Sequence, residues 1–188
     1  MVSILALERA FNRVRRELAE LGLLADGIYL DRIDLARSLV PTFRGLMGWV
    51  YDQDTGFWRR LLGFREGVIY IPINAPVGAQ TPGGTLVDVI RHEFGHAWEW
   101  VDRRFFRGRW FHDAFGPHHH DRSNTRHARH HFVSPYAMTS PSEDLAESFM
   151  HFLRYRRSLA RFKSRCGVYR KLHAIELAVR RKRRQLGL

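Results

Sequence analysis

The chain has one cysteine, Cys166, in 188 residues. No intramolecular disulfide can form, and a lone thiol fits a reducing compartment. Long apolar runs are also missing. The N-terminal stretch "MVSILALERAFNRVRRELAELGLL" is interrupted by Glu8 and Arg9, so it is not a secretory signal, and nothing after it reaches the length of a membrane span. The expectation is a cytoplasmic protein, or a toxin- or effector-like domain exported without a classical signal peptide. Lysine is scarce, with arginine supplying 28 of the 31 cations, and acidic residues are nearly absent from one end. Residues 1–150 carry 18 charges of each sign, whereas residues 151–188 carry 13 cations and only Glu176. The whole formal charge of +12 therefore sits in the C-terminal segment.

What is present argues for a folded globule. Hydrophobic content is 45% and aromatic content 13%, enough for one compact domain spanning residues 1–188 and too little chain for a second full one. Ser3 precedes a stripe of Ile4, Leu7, Phe11, Val14, Leu18 and Leu21 at helical spacing, with a serine cap at its start and Gly22 at its end. The period then changes. "GIYLDRIDL", "LMGWVYD" and "GVIYIPI" are short, aromatic and β-branched, and read as strands of a small sheet. Thr85 with Asp88 resembles a capping box opening a helix to about residue 104. Residues 106–134 show no clear period and read as a long irregular excursion. From Pro141 helical spacing returns, in Leu145, Phe149, Phe152 and Leu153, then in Val168, Leu172, Ile175 and Val179. The expected class is α+β: a small, twisted, mostly antiparallel or mixed sheet, a helix bearing the motif below, and a helical C-terminal half.

That motif is "DVIRHEFGHAWEW", residues 88–100. Ile90, Phe94, Ala97, Val101 and Phe105 make one apolar stripe facing the core. His92 and His96 lie four apart on a different face, so their rings converge, and Glu93 stands beside them. Zinc takes neutral imidazole nitrogens, and a catalytic site needs three protein ligands plus an open position. A chance HExxH in a chain of this composition is expected roughly 0.03 times. The motif needs a third ligand, and three candidates compete.

Asp102, six residues after His96, sits where some zinc peptidases place their last ligand after a glycine that turns the chain; here Glu99 occupies that position and the helix is expected to carry Asp102 away. The histidine cluster of His112, His118, His119, His120, His127, His130 and His131 has no ligand spacing of its own and reads as a polar, solvated loop. "SPYAMTSPSEDLAESF", residues 134–149, places Glu143 and Glu147 four apart at a helix start. One can ligate zinc while the other accepts a hydrogen bond from a ligating imidazole. Ser140 with Glu143 also reads as a capping box, which accounts for Glu143 but not Glu147.

"HEFGHAW" followed by "YAMTSPSEDLAESF" resembles the gluzincin metallopeptidases of the anthrax lethal factor catalytic-domain type. In that family HExxH is followed, after a long gap, by a tyrosine, a glutamate seven residues on, and an acidic residue four further. The resemblance covers residues 65 to 155. It implies a zincin-like fold, zinc as cofactor, and protein or peptide as substrate. It further implies that His92, His96 and Glu143 ligate zinc, that Glu93 is the general base, that Tyr136 donates to the developing oxyanion, and that Glu147 supports a ligand from behind. The His- and Arg-rich insert and the basic C-terminal helix depart from the family pattern.

Two further expectations concern binding. If "GVIYIPI" is the sheet edge beside the cleft, a peptide could add to it as a strand through Tyr70, Ile71 and Ile73. Arg180, Arg181, Lys182, Arg183 and Arg184 could meet an acidic partner, nucleic acid or anionic surface, although helix-spaced apolar residues in the same segment make a packed helix with a wet arginine face the plainer reading. The rival functions are a DNA-associated protease resembling the SprT class, with His112 as third ligand, and a binding module with structural zinc and four protein ligands.

Overall fold

The computed structural model describes residues 3–24, 34–38, 48–50, 68–72, 84–116 and 129–188. Helix α1, Ile4–Glu20, starts where the Ser3 hydroxyl accepts the Ala6 amide at 3.1 Å. Its stripe of Leu7, Ala10, Val14 and Leu18 is buried. Gly22 adopts φ +69°, which lets the chain reverse without the strain a Cβ would bring.

Three short strands follow: β1, Asp34–Ser38, β2, Gly48–Val50, and β3, Val68–Pro72. They pair in the order β1-β3-β2. β1 runs parallel to β3, with Leu35 opposite Ile69, and β2 runs antiparallel, with Trp49 opposite Ile69.

Helix α2, Leu86–Val101, opens with the expected capping box: Thr85 Oγ1 accepts the Asp88 amide at 3.3 Å and Asp88 Oδ2 accepts the Thr85 amide at 3.0 Å. Its last residue is Val101, three before the expected end, because Asp102 leaves helical geometry (φ −121°, ψ 42°). Two short helices succeed it, α3, Arg103–Phe106, and α4, Arg109–Phe115. After turns of 3-10 helix at Arg129–His131 and Tyr136–Met138 comes α5, Pro141–Tyr155. A 3-10 segment, Leu159–Phe162, leads to α6, Cys166–Gln185.

The core is built between these helices. Phe11 of α1 stacks on Phe94 of α2 at 5.6 Å between ring centroids. Arg91 ties the same pair of helices together, donating to Glu17 at 2.6 and 2.8 Å and to Asp88 at 2.7 Å. Trp98 contacts Phe106 and Phe149, and Val168, Leu172, Ile175 and Val179 of α6 complete the cluster. Each such side chain, fully buried, contributes on the order of 1.5–3 kcal/mol.

These observations correct the α+β expectation: the described residues are mostly helical. Of the strand side chains described, Val68, Ile69 and Ile71 are buried, and the rest of the buried apolar surface comes from helices and their connections. Strands of three to five residues cannot offer a core-sized face, whereas the helical stripes run for three to five turns.

The peptide-docking edge is corrected too. β3 is the central strand, and Tyr70 is paired with Ala36 of β1 and Gly48 of β2, so its backbone is committed to the ladder rather than free to receive a substrate; Ile71 is paired with Arg37 of β1, and Ile73 lies outside the described residues. Pro72 is accommodated as the last residue of its strand. The excursion at 106–134 is also less irregular than its composition suggests, since α4 occupies part of it, with Phe111 and Phe115 buried four apart.

Candidate metal centre

The centre lies where α2 and α5 cross. Gly95 makes the crossing close: a Cβ there would fall 2.8 Å from Ala146 Cα and 3.3 Å from Ala146 Cβ. One turn to either side of Gly95 are His92 and Glu99 on α2, and one turn before Ala146 are Ser142 and Glu143 on α5. The start of α5 is set by Ser140, whose hydroxyl accepts the Glu143 amide at 3.1 Å, and by Pro141 in the first turn, which suits a helix start.

Three donor atoms converge. His92 Nε2 lies 3.1 Å from His96 Nε2 and 3.2 Å from Glu143 Oε2, and the latter lies 3.3 Å from His96 Nε2. Among the described residues these three form the group able to hold a metal ion. Tetrahedral zinc with bonds of roughly 2.0–2.1 Å separates its donors by about 3.3–3.4 Å. The observed triangle therefore fits such an ion with little rearrangement, and two imidazoles with one carboxylate are a donor set zinc favours.

The electrostatics point the same way. Burial opposes charge on both imidazoles, but hydrogen bonding to Glu143, with Glu147 for His92 and the nearby Glu99 carboxylate for His96, outweighs it, holding His92 at about 9 and His96 well above its usual value. Burial likewise opposes ionisation of Glu143, yet its hydrogen bonds to the two histidines hold it far below the carboxylate range. A centre that shifts all three groups in these directions stabilises positive charge in its middle.

Each histidine is braced from behind. His92 Nδ1 pairs with Glu147 Oε1 at 2.8 Å, and Glu147 Oε2 accepts from Ser134 Oγ at 2.6 Å. Glu147 is fully buried and held below the usual carboxylate range: burial works against this, and the His92 hydrogen bond prevails. Ser134 Oγ also accepts the Ala137 amide at 3.1 Å, which anchors the turn carrying Tyr136. The Tyr136 ring lies 5.8 Å from the His92 ring between centroids. Burial and the neighbouring Glu143 carboxylate push its phenol well above the usual tyrosine value, so it keeps its proton. Glu93 is buried on the same helix as the two histidines.

The expected residues His92, Glu93, His96, Tyr136, Glu143 and Glu147 thus stand together. The rejected candidates stand elsewhere. Asp102 is held by Lys182 at 2.6 Å. His112 and His130 are exposed, and His118, His119, His120 and His127 lie outside the described residues. Residues missed from sequence are Ser134, Glu99 and Ser142; the available signals were the spacing of Glu99 three after His96 and the position of Ser142 beside Glu143.

The basic segment proves divided. Lys182 turns inward to Asp102, Arg180 donates to Glu176 at 2.7 Å, and Arg181, Arg183 and Arg184 are exposed. Among the described residues no helix is long and apolar enough to cross a membrane. Comparisons of the chain with protein-family models, curated proteins and solved structures find no match, so the reading of this centre rests on its own residues and geometry.

Proposed function

We propose that the chain is a zinc-dependent endopeptidase. The observation that carries this reading is the triangle of His92, His96 and Glu143 donors, with edges of 3.1 to 3.3 Å, set beside a buried glutamate and a protonated tyrosine. Zinc held by those three residues would supply Lewis acidity, making water a better nucleophile near neutral pH and polarising a peptide carbonyl.

The remaining work belongs to side chains. The Glu93 carboxylate takes the proton of the attacking water and passes it to the leaving amine, a role worth about 10²–10⁴-fold in rate. The Tyr136 hydroxyl donates to the oxyanion as the carbonyl becomes tetrahedral, worth on the order of 3 kcal/mol where single donors of this kind have been removed. Glu147 and Ser134 hold His92 in the orientation that presents Nε2 to the centre.

The SprT-like reading lacks comparable support, because His112 is exposed on α4. The structural-zinc reading wants a fourth protein donor, and the group found among the described residues has three members.

The test is zinc content and peptide-library cleavage measured together on the full chain. Glu93→Ala should keep zinc and lose cleavage, Glu143→Ala should lose both, and His112→Ala should change neither. Cleavage that persists in Glu93→Ala would sink the mechanism, and zinc lost in His112→Ala but retained in Glu143→Ala would replace the third ligand.

A further inference from the structure

His92 has a carboxylate directly behind it; His96 does not. Its Nδ1 lies 4.0 Å from Glu99 Oε2, too far for a hydrogen bond. Between them stands Ser142, with its hydroxyl oxygen 2.5 Å from Glu99 Oε2 and 3.3 Å from His96 Nδ1. Ser142 and Glu99 are both buried.

The donor and acceptor roles follow by elimination. An ionised carboxylate can only accept, so the Ser142 proton is committed to Glu99. The serine oxygen then faces His96 Nδ1 with lone pairs alone, and Nδ1 must carry the hydrogen. In the neutral ring that a metal requires, that hydrogen stays on Nδ1 and leaves Nε2 bare and directed at the triangle.

We propose that Ser142 and Glu99 form a positioning relay for His96, in which Nδ1–H donates to Ser142 Oγ and Ser142 donates to Glu99, so that a serine-bridged carboxylate does for the second histidine what Glu147 does for the first. The inference rests on the zinc reading of the centre. Ser142 precedes Glu143 in the first turn of α5, so one short stretch places a ligand, orients another and, through Ser140, caps its own helix. Glu99 and Ser142 are buried behind His96 and act through it.

The experiment measures zinc affinity of the full chain by chelator competition, alongside the proton spectrum of the zinc-loaded protein. In the parent, His96 Nδ1–H should appear as a slowly exchanging downfield resonance. Ser142→Ala should weaken zinc about 10- to 100-fold and abolish or broaden that resonance. Ser142→Thr, which restores the hydroxyl, should recover both. Glu99→Gln keeps an acceptor for the serine while removing the charge, and should fall between. A role in packing alone would lower the melting temperature of the metal-free protein without moving the resonance. Parent and Ser142→Ala chains binding zinc within twofold of each other would overturn the relay and leave the site reading intact. A parent chain that binds no zinc would overturn both.

Discussion

A Cβ placed on Gly95 would lie 2.8 Å from the Cα of Ala146, so the two helices that carry the donor residues touch almost backbone to backbone. Alanine at 95 would gain about 1 kcal/mol in helix propensity. The obstructing atom is main chain and cannot rotate away, and overpacking of this kind costs about 1–3 kcal/mol. Gly95→Ala should therefore lower the melting temperature and, by moving His92 and His96 away from Glu143, weaken zinc binding in a calorimetric titration. A variant that melts higher and binds zinc normally would show that the crossing is looser than this.

Asp144 and Lys171 form a buried ion pair at 2.7 Å between α5 and α6. Burial pushes Asp144 up to about 6, against the pull of Lys171, and pushes Lys171 down. Both directions mean that desolvation weighs heavily on the pair. Lys171→Met alone should destabilise by about 3–5 kcal/mol, because it strands a buried carboxylate, whereas Asp144→Leu with Lys171→Met should recover the part due to that charge, the bond from Lys171 to the His131 carbonyl being lost in both. Denaturant melts of the single and double variants decide it, and equal losses in both would assign the effect to packing.

His151 donates from Nδ1 to the Glu147 carbonyl at 3.0 Å. Burial, opposed by that hydrogen bond and the Glu147 charge, lowers its pKa from the usual 6.5. The folded state thus takes up this proton at lower pH than the unfolded state. The resulting stabilisation is complete above about 6.5 and is lost as pH falls through the lower folded value. Wild type should lose more melting temperature than His151→Gln between about pH 7.5 and 5.5. Parallel pH profiles for the two proteins would rule this group out.

Long periodic segments were legible from sequence. The stripes of α5 and α6 are buried as their spacing implies, and that of α1 is buried at Leu7, Val14 and Leu18 with Ile4 exposed at its start, since a helix several turns long with an apolar face has one way to bury it. Four of the expected site residues, His92 with His96 and Glu143 with Glu147, come together because pairs at i and i+4 on two helices define faces before any tertiary contact is known. What could not be read was relative weight and remote pairing. Two strands were located, the first met β1 only at Asp34 and Leu35, and all were overvalued, because local alternation says nothing about how many residues pair. The role of β3 depended on β1 and β2 flanking it, a non-local fact. α4 was missed since two turns hold only the pair Phe111 and Phe115. Glu99 and Ser142 acquire meaning only once α2 and α5 are seen to cross.

The C-terminal helix changes standing in this light. Lys171 donates to the His131 carbonyl at 3.0 Å and Arg165 to the Phe132 carbonyl at 2.6 Å, while a Cβ at Gly167 would meet His131 at 2.7 to 2.9 Å. Phe132 stands two residues before Ser134 and four before Tyr136, so the main chain that delivers both is moored to α6. The segment whose charge also suggested a contact for polyanions is a keel for the candidate metal centre, and trimming it off would unsettle the turn that carries Ser134 and Tyr136 before it disturbed any surface.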